Sequence, residues 1–166
     1  AAFDFDLEGL AEPGLPELAK KGRHRDKMNP NDLGRLGFGY VSELTPLHVL
    51  TFYNAIANKG RMMRPYIVES VEKDGRIVKK KGPSVLNGAV CSREVADSLT
   101  SGLLSITSEG TASRLKDAKL RVAGKTGTAW VYMDPKQASR TDPFMDREGR
   151  RKYQATFVGF FPAEQP

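Results

Sequence analysis

The chain has 166 residues, 39% of them hydrophobic, a formal charge of +6 and one cysteine, Cys91. That length builds one core of ordinary size, or the larger part of one interrupted domain, while a lone thiol excludes an internal disulfide and a cysteine zinc cluster. No run of about eighteen apolar residues offers a membrane-spanning helix, and the positive charge admits anionic partners of several kinds without choosing among them.

The first residues, Ala1-Ala2-Phe3-Asp4-Phe5-Asp6, are acidic rather than the basic-then-apolar pattern of an export signal. With no start methionine, and a last strand-like run stopping at Phe161-Pro162-Ala163-Glu164-Gln165-Pro166, the chain reads as a piece of a longer one. Residues 1–44 read as a loop-rich lead-in, with six of the sixteen glycines and three prolines between positions 9 and 39. Thr45-Pro46 then offers an N-cap and a proline at the first helical position, and the spacing predicts a helix over 45–60 closed by Gly60. Its apolar residues wrap most of the circumference, which calls for cover on more than one side.

Tyr66, Ile67, Val68 and Val71 are β-formers, and Asp74-Gly75 separates them from Ile77-Val78, so 65–80 reads as a hairpin. Ser92 caps a second helix over 92–109, with Val95, Leu99, Leu103 and Ile106 at helical spacing and Ser108-Glu109-Gly110 ending it. Strands follow at 120–132 and 153–161, plausible partners in an antiparallel pair. Between them, residues 133–152 carry ten charged side chains and read as a solvated excursion. Trp130, just before it, either lines a cleft or packs beneath the loop. Cys91 reads as a small half-buried side chain. His24 and His48 lack a second ligand at metal spacing and read as solvated or capped, so neither a metal nor a cofactor is expected.

The chemistry concentrates in Lys125-Thr126-Gly127-Thr128. A strand that receives a peptide along its edge needs free backbone N–H and C=O groups, a glycine at the point of close approach, and short hydroxyls to donate to a carboxylate. A lysine beside them attracts an anionic terminus. On composition alone, an ordinary surface strand with an exposed lysine is the better account of this string; its neighbours change that.

Lysine-threonine-glycine stands with a Ser-x-x-Lys nucleophile and a Ser-x-Asn element in serine β-lactamases and penicillin-binding proteins. The stretch Gly37-Phe38-Gly39-Tyr40-Val41-Ser42-Glu43-Leu44-Thr45-Pro46-Leu47 resembles the segment that leads into a helix of the transpeptidase domain in class B penicillin-binding proteins, the cell-division and elongation kind. Asn54-Ala55-Ile56-Ala57-Asn58-Lys59-Gly60 with Arg64-Pro65, Ser108-Glu109-Gly110-Thr111-Ala112, Val122 to Ala129, and Ala155 to Ala163 are similar to later parts of that domain, in the same order.

The resemblance implies an α/β (α+β) fold of the serine β-lactamase and transpeptidase group, an antiparallel sheet packed with helices, incomplete here. It implies a peptidoglycan D,D-transpeptidase acting on D-Ala-D-Ala stem peptides through a serine acyl-enzyme, with β-lactams as ligands and other cell-wall or division proteins as possible partners. Lys125 would be the electrostatic and proton-network residue, Thr126 and Thr128 the hydroxyls near the substrate carboxylate, and Gly127 the space for the peptide; Glu109 and Thr111 fall in a turn near the cleft, with a structural role at the helix end as the other reading. The whole protein would work on the extracytoplasmic face of the inner membrane, anchored by a segment outside this chain.

Ser70-Val71-Glu72-Lys73 fits Ser-x-x-Lys but lies in a β-rich run, where residues three apart point to opposite faces instead of sharing a helix face. No Ser-x-Asn occurs. The nucleophile is therefore expected outside the chain, leaving these residues inert by themselves. A non-catalytic relative, and a serine β-lactamase or D,D-carboxypeptidase, stay open as alternatives. Nucleic acid is not an expected partner, because the basic residues are spread without interleaved stacking aromatics. Strict alternation also sets Lys125 and Gly127 on one face and Thr126 and Thr128 on the other, so all serve one site only if the strand edge meets the substrate.

Overall fold

The computed structural model describes Ala11, Pro13 and residues 30–37, 39–40 and 42–166. His24 and most of the lead-in lie outside the described residues. Two compact units emerge, residues up to 52 with 62–88, and residues 53–61 with 89–166.

In the first unit, helix α1 (Pro30–Gly37) occupies a stretch expected to be loop. Pro30 stands at the first helical position, where proline is favoured, a signal that the surrounding glycines hid. Its end is a left-handed cap: Gly39 at φ 93° donates to the Leu36 carbonyl at 3.1 Å, and Tyr40 donates to Arg35 at 3.0 Å. Helix α2 (Pro46–Ala57) starts where expected, with the Thr45 hydroxyl accepting the His48 N–H at 3.4 Å and lying 2.7 Å from His48 Nδ1. His48 is only 6% exposed, so it is a capped histidine but not a solvated one. In α2, Ala55, Ile56, Ala57, His48 and Thr51 are buried, while Leu50 and Phe52 remain about half exposed, 52% and 48%.

The expected hairpin is shorter than its β-formers suggest. Strands β2 (Ser70–Lys73) and β3 (Arg76–Lys80) pair around Asp74 and Gly75, both at positive φ (53° and 73°), the geometry of a tight primed turn. Preceding them, β1 (Met62–Met63) pairs antiparallel with β4 (Val85–Asn87). Two and three residues are too few to leave a period in the sequence, yet Met62 is buried to 1%.

In the second unit α2 ends in a left-handed turn. Lys59 (φ 55°) donates to Ile56, and Gly60 (φ 89°) donates to Ala55 at 2.8 Å. A Cβ on Gly60 would meet the Cys91 carbonyl oxygen at 2.2 Å, so the close approach and the φ both require glycine. Cys91 is a free, partly buried thiol.

Helix α3 (Arg93–Ser108) begins at Ser92, whose hydroxyl accepts the Val95 N–H at 3.3 Å. The buried face is Ala96, Thr100, Leu103 and Thr107. Val95 and Leu99, expected inside, are 49% and 43% exposed; the stripe is turned toward smaller residues, which let α3 approach β5 (Ala123–Trp130) closely. Thr107 ties the two by donating to the Val122 carbonyl at 2.5 Å. Strand β5 pairs antiparallel with β6 (Tyr153–Phe160), from Ala123 opposite Phe160 to Trp130 opposite Tyr153. Ile56, Leu103, Ala123 and Ala163 form the core, with Tyr53, Leu104, Ile106 and Phe160 against it. Burial pushes the Tyr53 phenol up from its usual range.

Candidate functional site

Register decides what β5 offers. Just past its end, Val131 donates to the Lys152 carbonyl at 3.1 Å. In an antiparallel ladder the bonded pairs recur every second residue. Counting back through the register, Ala129, Gly127, Lys125 and Ala123 turn their N–H and C=O groups toward β6, while Trp130, Thr128, Thr126 and Gly124 turn theirs to the opposite edge. Among the described residues β6 is the only strand paired with β5. The backbone of Thr126 and Thr128 is thus presented to an unpaired edge.

Lys125 confirms that direction, since its Nζ donates to the Thr126 carbonyl at 2.7 Å, and no carboxylate pairs with it among the described residues. The ammonium curls round the strand, so a charge from one face and hydroxyls from the other meet along one edge. The alternation that separates Lys125 from Thr126 is overcome by the length of the lysine stem.

A Cβ on Gly127 would meet Thr156 Oγ1 at 2.5 Å. Sequence reading did not single out Gly124, where a Cβ would meet the Phe157 ring at 2.5 Å and the Val158 carbonyl at 2.9 Å. Glu109 follows α3, and Thr111, two residues on, brings its Oγ1 to 2.8 Å from Thr126 Oγ1.

Ser70 lies in β2 opposite Lys80, and Lys73 opposite Arg76, not on a helix. Sequence reading passed over a second Ser-x-x-Lys string, Ser113 to Lys116, on a three-residue 3-10 turn. The Lys116 N–H donates to the Ser113 carbonyl at 3.1 Å, and no side-chain bond joins the pair.

The charged stretch 133–152 is not simply solvated. Asp134, Asp142 and Asp146 each accept the N–H two residues on, from Lys136 at 2.7 Å, Phe144 at 2.9 Å and Glu148 at 2.9 Å, the short-range turn habit of aspartate. The Arg150 N–H and guanidinium hold the Asp146 carboxyl below the usual carboxylate range, and Asp146 raises Arg150 in return. Trp130 packs against this loop: the Arg151 guanidinium lies 4.1 Å over its ring and Phe144 is 5.8 Å away, while Arg151 bonds Asp142 at 2.6 Å.

Helix α3 packed on an antiparallel pair, with a lysine-threonine-glycine strand whose second edge is unpaired among the described residues, is an α+β arrangement. The family described as "Penicillin binding protein transpeptidase domain" matches residues 13–166, and the chain belongs to it. Penicillin-binding protein H of Bacillus subtilis is 30% identical over 137 residues, covering 79% of this chain and 18% of that protein. Peptidoglycan D,D-transpeptidase PbpA of Mycolicibacterium smegmatis is 32% identical, covering 81% of this chain and 26% of that one. The penicillin G acyl-enzyme structure of penicillin-binding protein A from M. tuberculosis superposes with TM-score 0.59 at 26% identity, over 92% of this chain and 33% of that chain. The chain therefore spans about a fifth to a quarter of the length of these curated relatives.

Proposed function

We propose that the protein containing this chain is a peptidoglycan D,D-transpeptidase and that β5 is the substrate wall of its active site. The observation that carries this reading is the β5 edge unpaired among the described residues, toward which the N–H and C=O groups of Thr126 and Thr128 turn and where the Lys125 ammonium donates to the Thr126 carbonyl.

An extended D-Ala-D-Ala stem peptide lies along that edge as an added strand. Thr126 and Thr128 donate to its terminal carboxylate, and Lys125 supplies the countercharge. A serine supplied from outside these residues attacks the carbonyl of the penultimate D-alanine, its proton passing to a neighbouring base. The amide bond breaks, terminal D-alanine leaves with a proton, and an ester remains. An amine of a second stem peptide then attacks the ester, forming the cross-link and returning the serine. A penicillin presents a carboxylate and a strained amide in the same places, and its ring opens on the same serine. Gly127 leaves room for the peptide at the point of close approach. The work is done on the extracytoplasmic face of the membrane, with an anchor outside this chain.

Incubation with a fluorescent penicillin tests this. The full-length protein is expected to become covalently labelled and the 166-residue chain not. A folded full-length protein that stays unlabelled overturns the reading, and a labelled chain places a nucleophile at Ser70, Ser113 or another of its own serines.

A further inference from the structure

We infer that Thr111 is a positioning residue for Thr126, its hydroxyl holding the Thr126 hydroxyl so that the Thr126 proton points to the carboxylate of the ligand on the β5 edge. This rests on the proposed substrate role of β5.

The two Oγ1 atoms are 2.8 Å apart, across fifteen residues of sequence. A threonine hydroxyl rotates freely and carries one proton. Left alone on a strand edge, Thr126 Oγ1 has the Lys125 ammonium near its own carbonyl, and nothing selects the direction of its proton. With Thr111 donating to Thr126 Oγ1, that oxygen's acceptor side is engaged and its proton is directed onward. The chain Thr111 O–H to Thr126 O–H to carboxylate strengthens each link by polarisation.

The turn that holds Thr111 is built tightly. Glu109 and Gly110 both donate to the Ser105 carbonyl, at 2.9 and 3.1 Å, and Ala112 donates to Ile106 at 3.1 Å. A Cβ on Gly110 would meet the Ile106 Cα and carbonyl oxygen, each at 2.9 Å. Backbone cannot step aside there, so the glycine lets the chain fold back over the last turn of α3 and aim Thr111 at β5. Thr107, one turn earlier, pins the same helix end to Val122, fixing the distance between turn and strand.

The experiment compares full-length wild type, Thr111→Val, Thr111→Ser and Thr126→Ala for the second-order rate of acylation by benzylpenicillin and by its methyl ester, which lacks the negative charge, with thermal unfolding of each. Thr111→Val is expected to slow acylation by the free acid about tenfold, to leave the ester within about twofold and to keep the unfolding temperature. Thr111→Ser restores the wild-type rate. If Thr126→Ala acylates as wild type, the substrate role of the strand fails. If Thr126→Ala is slow while Thr111→Val is not, the positioning role fails alone. Equal slowing of both ligands by Thr111→Val, with a lowered unfolding temperature, also overturns it by making Thr111 merely structural.

Discussion

Two glycines three residues apart on β5, and therefore on opposite faces of it, answer to different neighbours. Alanine at Gly124 meets the Val158 carbonyl at 2.9 Å as well as a ring at 2.5 Å, whereas alanine at Gly127 meets only the end of the Thr156 side chain at 2.5 Å. Backbone cannot rotate away and a hydroxyl can. Gly124→Ala is therefore expected to destabilise by about 2 kcal/mol and Gly127→Ala by less than about 1 kcal/mol, measured by urea unfolding; equal losses would contradict the packing described. Glycine content alone did not separate them, because sequence shows neither the cross-strand partner nor which of its atoms lies nearest.

At the scale of elements, caps made the helices legible: Thr45-Pro46 and Ser92 mark the starts of α2 and α3 to within a residue. The buried face of α3 was less so, since Ala96, Thr100, Leu103 and Thr107 follow the same helical spacing as the bulkier Val95 and Leu99, and tertiary packing chose the smaller set. Leu103→Ala is expected to cost about 2–4 kcal/mol in the unfolding free energy, while Val95→Ala at the exposed face costs less than about 1 kcal/mol; the reverse order would return the face to its expected side.

The loop between β5 and β6 hid its order in plain composition. Ten charges in 133–152 suggest solvation, but aspartates bonded to amides two residues ahead make turns, and Asp134-Pro135 and Asp142-Pro143 were the available signal. Asp146 carries a pH dependence of known sign. Its carboxyl is held below the usual range by the Arg150 N–H and guanidinium, so its contribution is present above the unfolded aspartate pKa of about 4 and is lost as pH falls through the lower folded value. Asp146→Asn should remove that contribution at neutral pH and flatten the acid limb of the unfolding temperature against pH. An unchanged limb would show that the Asp146 bonds add nothing to stability.

For the whole molecule, the family and the α+β architecture were readable from ordered segments of sequence, and so was the lysine-threonine-glycine strand. What the strand offers was not, because edge direction depends on register, and register on a loop whose length sequence supplies but whose pairing it does not. The bond from Val131 to Lys152 settles that parity and turns Thr126 and Thr128 outward.

Thr128→Pro in the full-length protein puts this to the test directly. Proline removes the residue-128 N–H, which faces the unpaired edge, and leaves the ladder to β6 whole, as edge strands tolerate. With penicillin acylation and thermal unfolding measured together, the expected result is a folded protein acylated at least about tenfold more slowly; a folded variant acylated at the wild-type rate would show that the β5 edge is not where the ligand lies.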